Sequence, residues 1–441
     1  ERRQVPRADH RSSGGDAGVT VARERAGWYC YDWANSAFYT SVVTLIFGPY
    51  VTEELAKPAA DAAGYIYPLG IAIYARSYWG YLIALAVVLQ VLVLPVIGAI
   101  VDSSGRKKQL LGVFAYAGAL ATMAMYFLEG TAYMAAGVLF LLANLSFGAS
   151  IVVYNAFLPA IAAPEERDAV SSTGWGIGYL GGGLLLALNL ALFRYAGSLG
   201  LSEAHAARIN LCSAGAWWAL FSIIPMLTLR NRAPVGVGHA RPLRDLTKYP
   251  QALTFLVAYM LYNDAIQAVI ALAVQFGSDE LGMPMATLAL AILMVQFVGF
   301  FGALGFNQAA RLIGAKRAVM ASLVVWTGVL GAIYGWVRTT ADFFLMAALV
   351  AVVLGGSQAL SRSLFSQLIP KGAEAEYFSL YEISEKGTSW LCPLFFALAL
   401  QFTRSYRLAI LSLIVFFVLG LAVLARVDVR RGMAEAGQNR N

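Results

Sequence analysis

Residues 408–425 read LAILSLIVFFVLGLAVLA, a stretch of eighteen residues without a single charge. As an α-helix this stretch would be about 27 Å long, close to the roughly 30 Å hydrocarbon core of a bilayer. In lipid every backbone N–H and C=O must find a partner within the protein, and a helix supplies those partners itself. A membrane β-barrel would instead show alternating segments of about ten residues. The stretch therefore predicts a transmembrane helix.

Similar apolar runs recur along the whole chain and make twelve in total. They lie near residues 30–51, 79–101, 109–128, 132–157, 172–193, 209–229, 252–276, 286–308, 318–337, 342–368, 377–402 and 407–426. The runs that begin near Tyr31 and Tyr377 differ from the others because they contain carboxylates. The pattern predicts an all-α membrane protein with twelve transmembrane helices.

A polar, basic and proline-containing stretch divides the runs into two sets of six. We expect six-helix bundles at residues 28–229 and 251–426, joined by a cytoplasmic linker at 230–250. Residues 1–27 are rich in Arg, Gly and Ser and are predicted to form a disordered cytoplasmic tail. Residues 427–441 are predicted to form a second cytoplasmic tail.

Composition excludes most soluble function classes. Of the 441 residues, 59% are hydrophobic and 13% are charged, whereas a soluble domain has roughly 25% charged residues. The net charge of +7 comes from basic residues in short loops, so we expect no nucleic-acid partner. The three cysteines have no metal-ligand spacing, and the three histidines fall in tails or loops. Neither a metal nor another cofactor is expected.

The positions of Lys and Arg predict the orientation. Of the 32 such residues, seven fall in loops on one side, two lie within runs, and the rest lie on the side of the tails. The seven are Lys57, Arg76, Arg194, Arg208, Arg338, Arg404 and Arg407. By the positive-inside rule both termini are cytoplasmic. The short loops suit a bacterial inner membrane protein.

An internal repeat supports two related halves. Three residues of the first run recur in the seventh at one offset, beside an aspartate in each case. The matched pairs are Tyr31 with Tyr262, Ala34 with Ala265, and Ala37 with Ala268. Parallel six-helix repeats that enclose a site near the middle of the membrane are one plan of secondary transporters.

Two aspartates lie within these matched runs. An ionised side chain at the bilayer centre costs about 2.5–3.5 kcal/mol on insertion scales, so it usually faces a cavity or a partner. Asp32 is close to Asn35, and Asp264 is close to Asn263 and Gln267. One interpretation is a polar patch along a solute path in which a carboxylate exchanges a proton. The other is a pair of fixed hydrogen-bonding groups between helices.

The tenth and eleventh runs carry further charges. Glu382 and Lys386 are four residues apart in the favourable order for an ion pair, with Glu385 between them. Arg362 could join them, so these residues form either a fixed network or a charge gate. An intramembrane arginine also suits a carboxylate on an anionic or zwitterionic solute. Two polar residues within apolar runs, Asn155 and Gln358, could contact solute or join helices.

The loop after the second run carries its own pattern. Asp102, Gly105, Arg106 and Lys107 form a short basic turn, G-x-x-x-D-x-x-G-R-K. This turn resembles the signature loop of the major facilitator superfamily, which implies a cytoplasmic latch between the halves. The alternative is a basic turn without a moving part. The glycine-rich run 174–183 favours close helix packing, or else a pivot.

Longer stretches resemble one branch of that superfamily, the vacuole effluxer-like transporters related to the autophagy effluxer of fungal vacuoles. They are YDWANSAFYT (31–40), YNAFLPAIAAPEERDAVSSTGWGIGYLGGGLL (154–185), FLVAYMLYNDAIQAVI (255–270) and GGSQALSRSLFSQLIPKGAEAEYFSLYEISEKGTSWLCPL (355–394). The resemblance implies alternating access and suggests amino-acid efflux. The loop after the eighth run departs from the superfamily pattern, because it has Asn307 and Gln308 near the position that matches Asp102.

The sequence thus predicts a secondary transporter, coupled to protons, that moves a small solute across the lipid bilayer as a monomer. A sensor or scaffold with a transporter fold is the second hypothesis, and the short tails argue against it. A membrane enzyme is the third. No H-E-x-x-H motif and no histidine within the runs supports it, so we expect no enzymatic activity.

Overall fold

A computed structural model describes residues 12–233, 246–386 and 391–438 of the chain. Nearly all of this part is helical, and the exception of note is one short antiparallel hairpin in which Tyr65 pairs with Tyr74 and Ile66 with Ile73. The hairpin precedes the second long helix.

The described residues of the N-terminal half form eight α-helices and the hairpin. Their bounds are α1 Ser12–Ala37, α2 Phe47–Tyr50, β1 Tyr65–Ile66, β2 Ile73–Tyr74, α3 Tyr78–Ser104, α4 Lys107–Ala124, α5 Tyr133–Asn155, α6 Leu158–Ile161, α7 Arg167–Tyr195 and α8 Glu203–Thr228. π-Helical segments at Phe38–Ile46 and Val51–Ala56 flank α2 and continue the first helix.

In the described part of the C-terminal half there are nine α-helices. Their bounds are α9 Pro250–Asp279, α10 Met285–Ile313, α11 Ala315–Gly335, α12 Thr340–Leu368, α13 Glu374–Lys386, α14 Leu391–Thr403, α15 Tyr406–Ser412, α16 Ile414–Ala425 and α17 Val429–Glu435.

Within the described residues, 10 helices are long and apolar enough to cross a membrane. They correspond to ten of the twelve predicted runs. The other two runs, near 30–51 and 377–402, are also helical where they are described. The first changes to π-helical turns at Phe38. The second is described as α13 and α14, and residues 387–390 between them lie outside the described part.

The buried apolar residues form two clusters. One is drawn from residues 28–229 together with Ala375, and the other from residues 246–427. Each half therefore has its own hydrophobic core. We call the end of the bundle that carries the first and last described residues, Ser12 and Gln438, the termini end, and the end that carries the hairpin the hairpin end.

The chain begins to be helical earlier than predicted. Residues 12–27 were expected to form a disordered tail, but α1 already starts at Ser12. Glu24 is buried and accepts hydrogen bonds from Arg230 N at 3.0 Å and from Arg232 Nη2 at 2.8 Å. Arg25 donates to the exposed Glu166, and this hydrogen bond lowers the pKa of that carboxyl. These contacts tie the segment to the termini end.

The C-terminal segment is also packed against the bundle, in contrast to the expected tail. Gly432 of α17 lies against Leu368 and Gln251. The backbone N–H of Asp428 donates to Gln251 Oε1 at 2.7 Å. Most of the predicted linker, residues 234–245, lies outside the described part.

Helix α7 packs through glycines on two faces. A Cβ atom at Gly174, Gly178 or Gly181 would lie within 3 Å of atoms of α1, and one at Gly183 would lie 2.8 Å from Gln296 of α10. Small residues allow such close approach between membrane helices. The glycine-rich run therefore holds α7 between one helix of its own half and one helix of the other.

We expect Gly181→Val to lower the thermal stability of the purified protein. A Cβ at this position would lie 2.5 Å from the backbone oxygen of Trp33, and overpacking of this kind costs about 1–3 kcal/mol. The matched control is Gly328→Val, because a Cβ at Gly328 of α11 would have no atom within 4 Å. Thermal unfolding in detergent measures both, and equal midpoints for the two variants would contradict the packing described.

Candidate functional site

A cavity of about 310 Å³ lies between the two halves, and we call it the central cavity. Eight of the residues singled out in the sequence line it. They are Asp32, Asn35, Asn155, Gln267, Gln358, Arg362, Glu382 and Glu385. Helices that are far apart in the sequence therefore bring most of the predicted polar residues together.

The central cavity is elongated along the bundle. Its lining on α12 runs from Phe343, near the hairpin end, to Arg362. These residues are nineteen positions apart, or about 28 Å along a helix. The lining thus extends from the hairpin end into the bundle and reaches Arg362, which we treat as the floor of the cavity.

The guanidinium of Arg362 is held by residues of the N-terminal half. Its Nε donates to Ser171 Oγ at 2.9 Å, and its Nη2 donates to the Ser171 carbonyl at 2.9 Å. Nη1 lies 3.4 Å from Asp32 Oδ2 and 3.4 Å from Asn155 Oδ1, and Nη2 lies 3.5 Å from Asp32 Oδ2. These five contacts match the five N–H donors of a guanidinium, so a solute can reach Arg362 only by displacing a protein group.

Three aromatic rings surround the same guanidinium. The ring centroids of Trp28, Tyr154 and Trp175 lie 4.7, 5.4 and 5.5 Å from the central carbon of Arg362. Trp28 and Tyr154 are stacked with centroids 4.3 Å apart. The negative faces of aromatic rings attract a cation, and more strongly when water is excluded. All three rings belong to the N-terminal half.

Asp32 is the counter-ion within this cage. It accepts a hydrogen bond from the Tyr154 hydroxyl at 2.6 Å in addition to its contacts with Arg362. Asp32 is 7% exposed and Arg362 is 3% exposed. Removing one partner of a buried ion pair leaves the other charge uncompensated, which costs about 3–5 kcal/mol. The pair therefore joins the halves strongly only while both members are present and ionised.

The loop after α3 contacts the other half at the termini end. Lys107 Nζ lies 3.0 Å from Asp102 Oδ1 and 3.0 Å from Glu374 Oε2. The backbone N–H of Glu376 donates to Asp102 Oδ2 at 2.9 Å, so Asp102 caps the first turn of α13, where helix N–H groups lack partners. Gly105 provides the turn with a φ of 62°, and the side chain of Arg106 is exposed.

Close backbone packing accompanies this contact. A Cβ at Gly98 would lie 2.7 Å from the backbone oxygen of Ala375. Helix α3 of one half thus lies directly against the start of α13 of the other, and the Lys107 contacts fall at this crossing.

A further layer of contacts joins α7 to α12. Ser171 Oγ donates to the Ala359 carbonyl at 2.7 Å, and Ser363 Oγ donates to Asp168 Oδ1 at 2.6 Å. Arg167 Nη1 donates to the Ser366 carbonyl at 2.8 Å and to Gln438 Oε1 at 2.7 Å. These groups lie between the cavity floor and the termini end.

Sequence reasoning missed this layer and the aromatic cage. The sequence predicted no role in these contacts for Arg167, Ser171, Trp28 or Trp175. The run SQALSRSLFSQ at 357–367 is nevertheless unusually rich in serine for a membrane helix. This serine-rich run is the local signal that could have indicated polar contacts of α12. The N-terminal partners carry no comparable signal, since they come from separate helices.

The carboxylates of α13 have partners on other helices, and the predicted pair of Glu382 with Lys386 stays a prediction. Asn155 Nδ2 donates to Glu382 Oε1 at 3.3 Å, and the Tyr259 hydroxyl lies 3.1 Å from Glu385 Oε2. Arg362 contacts Asp32 instead of these glutamates, because Asp32 and Ser171 are the oxygens presented to its guanidinium. Lys386 ends α13, and its side chain lies outside the described part.

Asp264 does not line the central cavity, in contrast to the expected solute path. It is 1% exposed and accepts a hydrogen bond from the backbone N–H of Cys392 at 3.0 Å. That N–H belongs to α14, so this hydrogen bond joins α9 to α14. Asn263 also lies outside the lining and accepts a hydrogen bond from Gln358 Nε2 at 2.6 Å.

Comparison with known proteins gives related sequences over nearly the whole chain. The sequence profile of the family described as "Vacuole effluxer Atg22 like" matches residues 20–437. The "Uncharacterized MFS-type transporter YxiO" of Bacillus subtilis is 29% identical over 92% of this chain and 95% of its own. "Autophagy-related protein 22-1" of Penicillium rubens is 26% identical over 96% of this chain and 93% of its own.

Solved structures of major facilitator superfamily transporters share the fold. The proton:xylose symporter XylE superposes with a TM-score of 0.73 at 11% identity, over 93% of this chain and 96% of that chain. A bacterial homologue of the iron transporter ferroportin in an outward-facing state superposes with a TM-score of 0.68 at 16% identity, over 92% and 98%. At these identities the likeness concerns the fold alone.

We expect Arg362→Met to open the termini end. The change removes all five donors and leaves Asp32 without its cation, which weakens the contact between the halves. Spin labels at Ser103 and Lys371, both exposed at the termini end, would report this in double electron–electron resonance after the three native cysteines are replaced. The fraction of molecules with a longer distance between the two spin labels should rise by at least about tenfold.

The matched control is Arg208→Met, which breaks an ion pair with Glu129 inside the N-terminal half. This control should leave the distance distribution unchanged. An unchanged distribution in the Arg362 variant as well would show that the cage does not hold the halves together.

Proposed function

This chain belongs to the vacuole effluxer Atg22-like family and is a major facilitator-type membrane transporter, and we propose that it moves an amino acid or a similar zwitterion by alternating access, coupled to protons. The observation that carries the proposal is the central cavity itself. Its lining reaches toward the hairpin end, while three layers of contacts between the halves, of which the floor is the first, follow toward the termini end.

The three layers are of the kind that alternating access requires. They are the Arg362 cage, the contacts between α7 and α12, and the Lys107 bridge to Glu374. Each consists of a few polar contacts between separately packed cores. Such contacts can break together while each half stays intact, which would open a path from the floor to the termini end.

The charges at the floor support a zwitterionic solute. Glu382 and Glu385 provide oxygens for an ammonium group, and Arg362 provides a guanidinium for a carboxylate. A solute carboxylate would have to displace Asp32 or Asn155 from Arg362. Binding would then loosen the contact between the halves, which couples solute to opening. An anion without an ammonium is less favoured, because three carboxylates line the same cavity.

Asp32 is the better candidate for proton exchange. It lines the cavity and contacts both Arg362 and Tyr154, whereas Asp264 lies outside the lining. A proton on Asp32 would neutralise the counter-ion of Arg362 and weaken the cage. Protonation and solute binding would thus act on the same contact between the halves.

The positive-inside distribution supports a placement of the termini end in the cytoplasm, as in a bacterial inner membrane protein. The conformation described is then the outward-facing one. We propose that a monomer is the transporting unit, because the cavity is formed entirely within one chain.

We expect Asp32→Asn to uncouple transport from the pH gradient. The amide cannot exchange a proton, but it can still accept the Tyr154 hydrogen bond. In proteoliposomes, counterflow of an amino acid that stabilises the purified protein should persist, while acceleration by an imposed pH gradient should disappear. The measurement is uptake of the labelled amino acid with and without the gradient.

Asp264→Asn is the matched control, since it neutralises a buried carboxylate away from the cavity. It should keep the response to the gradient. If this variant loses the response and Asp32→Asn keeps it, proton exchange lies at Asp264 instead. If the wild-type protein transports the solute without any response, the transport is not coupled to protons.

A further inference from the structure

The two long walls of the central cavity differ in polarity. The first helix of the N-terminal half contributes mostly hydroxyl and amide groups, from Asn35, Ser36, Tyr39, Thr40 and Thr44. Above the floor, the C-terminal half contributes mostly aliphatic side chains. Examples are Val269, Ile270, Ile292, Val295 and Val350. A solute that fills this space is polar along one side and apolar along the other.

The floor carries more negative than positive charge. The charged side chains in the lining are Asp32, Glu382 and Glu385 against Arg362. Adding the full charge of Lys386, whose side chain lies outside the described part, still leaves three carboxylates against two cations. An excess of negative charge next to a low-dielectric wall attracts a cation.

Arg362 is also less available than its position suggests. Its five N–H groups are engaged with Ser171, Asp32 and Asn155. A carboxylate on the solute must break some of these contacts. Glu382 and Glu385 also have partners, Asn155 and Tyr259 among them, but a carboxylate accepts several hydrogen bonds, so an ammonium group can be added to those donors. In the conformation described, the ammonium is therefore the end that the floor recognises first.

We propose that the central cavity takes amphipathic ammonium compounds, with the ammonium group at Glu382 and Glu385 and the apolar body along the wall of the C-terminal half. The proposal rests on the proposed function, since it names the chemistry of the solute in that cavity. It goes further in making the carboxylate of a zwitterion dispensable for binding.

Chain length provides the test of the apolar wall. We would measure binding of ethyl-, n-butyl-, n-hexyl- and n-octylammonium to the full chain in lipid nanodiscs by calorimetry, with empty nanodiscs as the blank. Each methylene that reaches the wall should tighten binding about threefold to fourfold, the transfer gain of a buried CH₂. The carboxylates of the same chain lengths, from propanoate to nonanoate, should show no saturable binding.

Two kinds of variant distinguish the contribution of the carboxylates that bind the ammonium group from the contribution of the apolar wall. Glu382→Gln keeps the size of the side chain and removes its charge, so it should weaken all ammonium compounds by about tenfold. The gain per methylene should stay the same. Val295→Thr with Val350→Thr keeps the shape of the wall and adds hydroxyl groups. It should reduce the gain per methylene and leave ethylammonium nearly unchanged.

Glu203→Gln is the matched charge control, because Glu203 is exposed at the start of α8 and lies outside the cavity lining. It should bind the whole series like the wild-type protein. Equal or tighter binding of the carboxylate series would overturn the proposal. So would an ammonium series that binds without a chain-length gain, or one that Glu382→Gln does not weaken.

Failure of this proposal is distinguishable from failure of the proposed function. If proteoliposomes transport an amino acid while the ammonium series does not bind, the transporter assignment stands and the ammonium proposal falls. If the ammonium compounds bind and no tested solute is transported, the chemistry of the cavity stands and the proposed amino-acid transport falls.

Discussion

The structure depends most on the burial of one guanidinium from the C-terminal half inside the N-terminal half. Arg362 is surrounded by Ser171, Asp32, Asn155 and three aromatic rings, and every one of these groups belongs to the other half. A charge so far from water is stable only when its hydrogen bonds and its counter-ion are complete. The same contact therefore forms the floor of the cavity and joins the two halves.

The contacts closer to the termini end also give partners to charged and polar groups, but through different residues. Helix ends leave N–H groups without partners, and the carboxylate of Asp102 satisfies one of them at the start of α13. Lys107 compensates two carboxylates from opposite halves. These contacts are polar and few, whereas the cores of the two halves are apolar and large. The alternating access proposed above would break these few polar contacts and leave each core intact.

The two halves have diverged in how they use matching positions. Asp32 and Asp264 occupy related places in the repeat, yet Asp32 lines the cavity and Asp264 accepts a hydrogen bond from the backbone N–H of Cys392 in α14. The glycines of α7 are a further difference between the halves, because they pack against both α1 and α10. Repetition in the sequence thus predicts related helices and leaves the roles of their polar residues open.

The sequence by itself determined the membrane location, the two sets of helices and the short list of polar residues that the membrane makes costly. It did so because hydropathy and helix length respond to the bilayer, which acts on each segment separately. Only the tertiary structure decided which of those residues meet. That Arg362 contacts Asp32 rather than Glu382, and that Trp28, Ser171 and Trp175 complete the cage, depends on how helices from opposite halves approach. Contacts between residues hundreds of positions apart leave no local pattern in a single sequence, so pairings of this kind appear only in the folded chain.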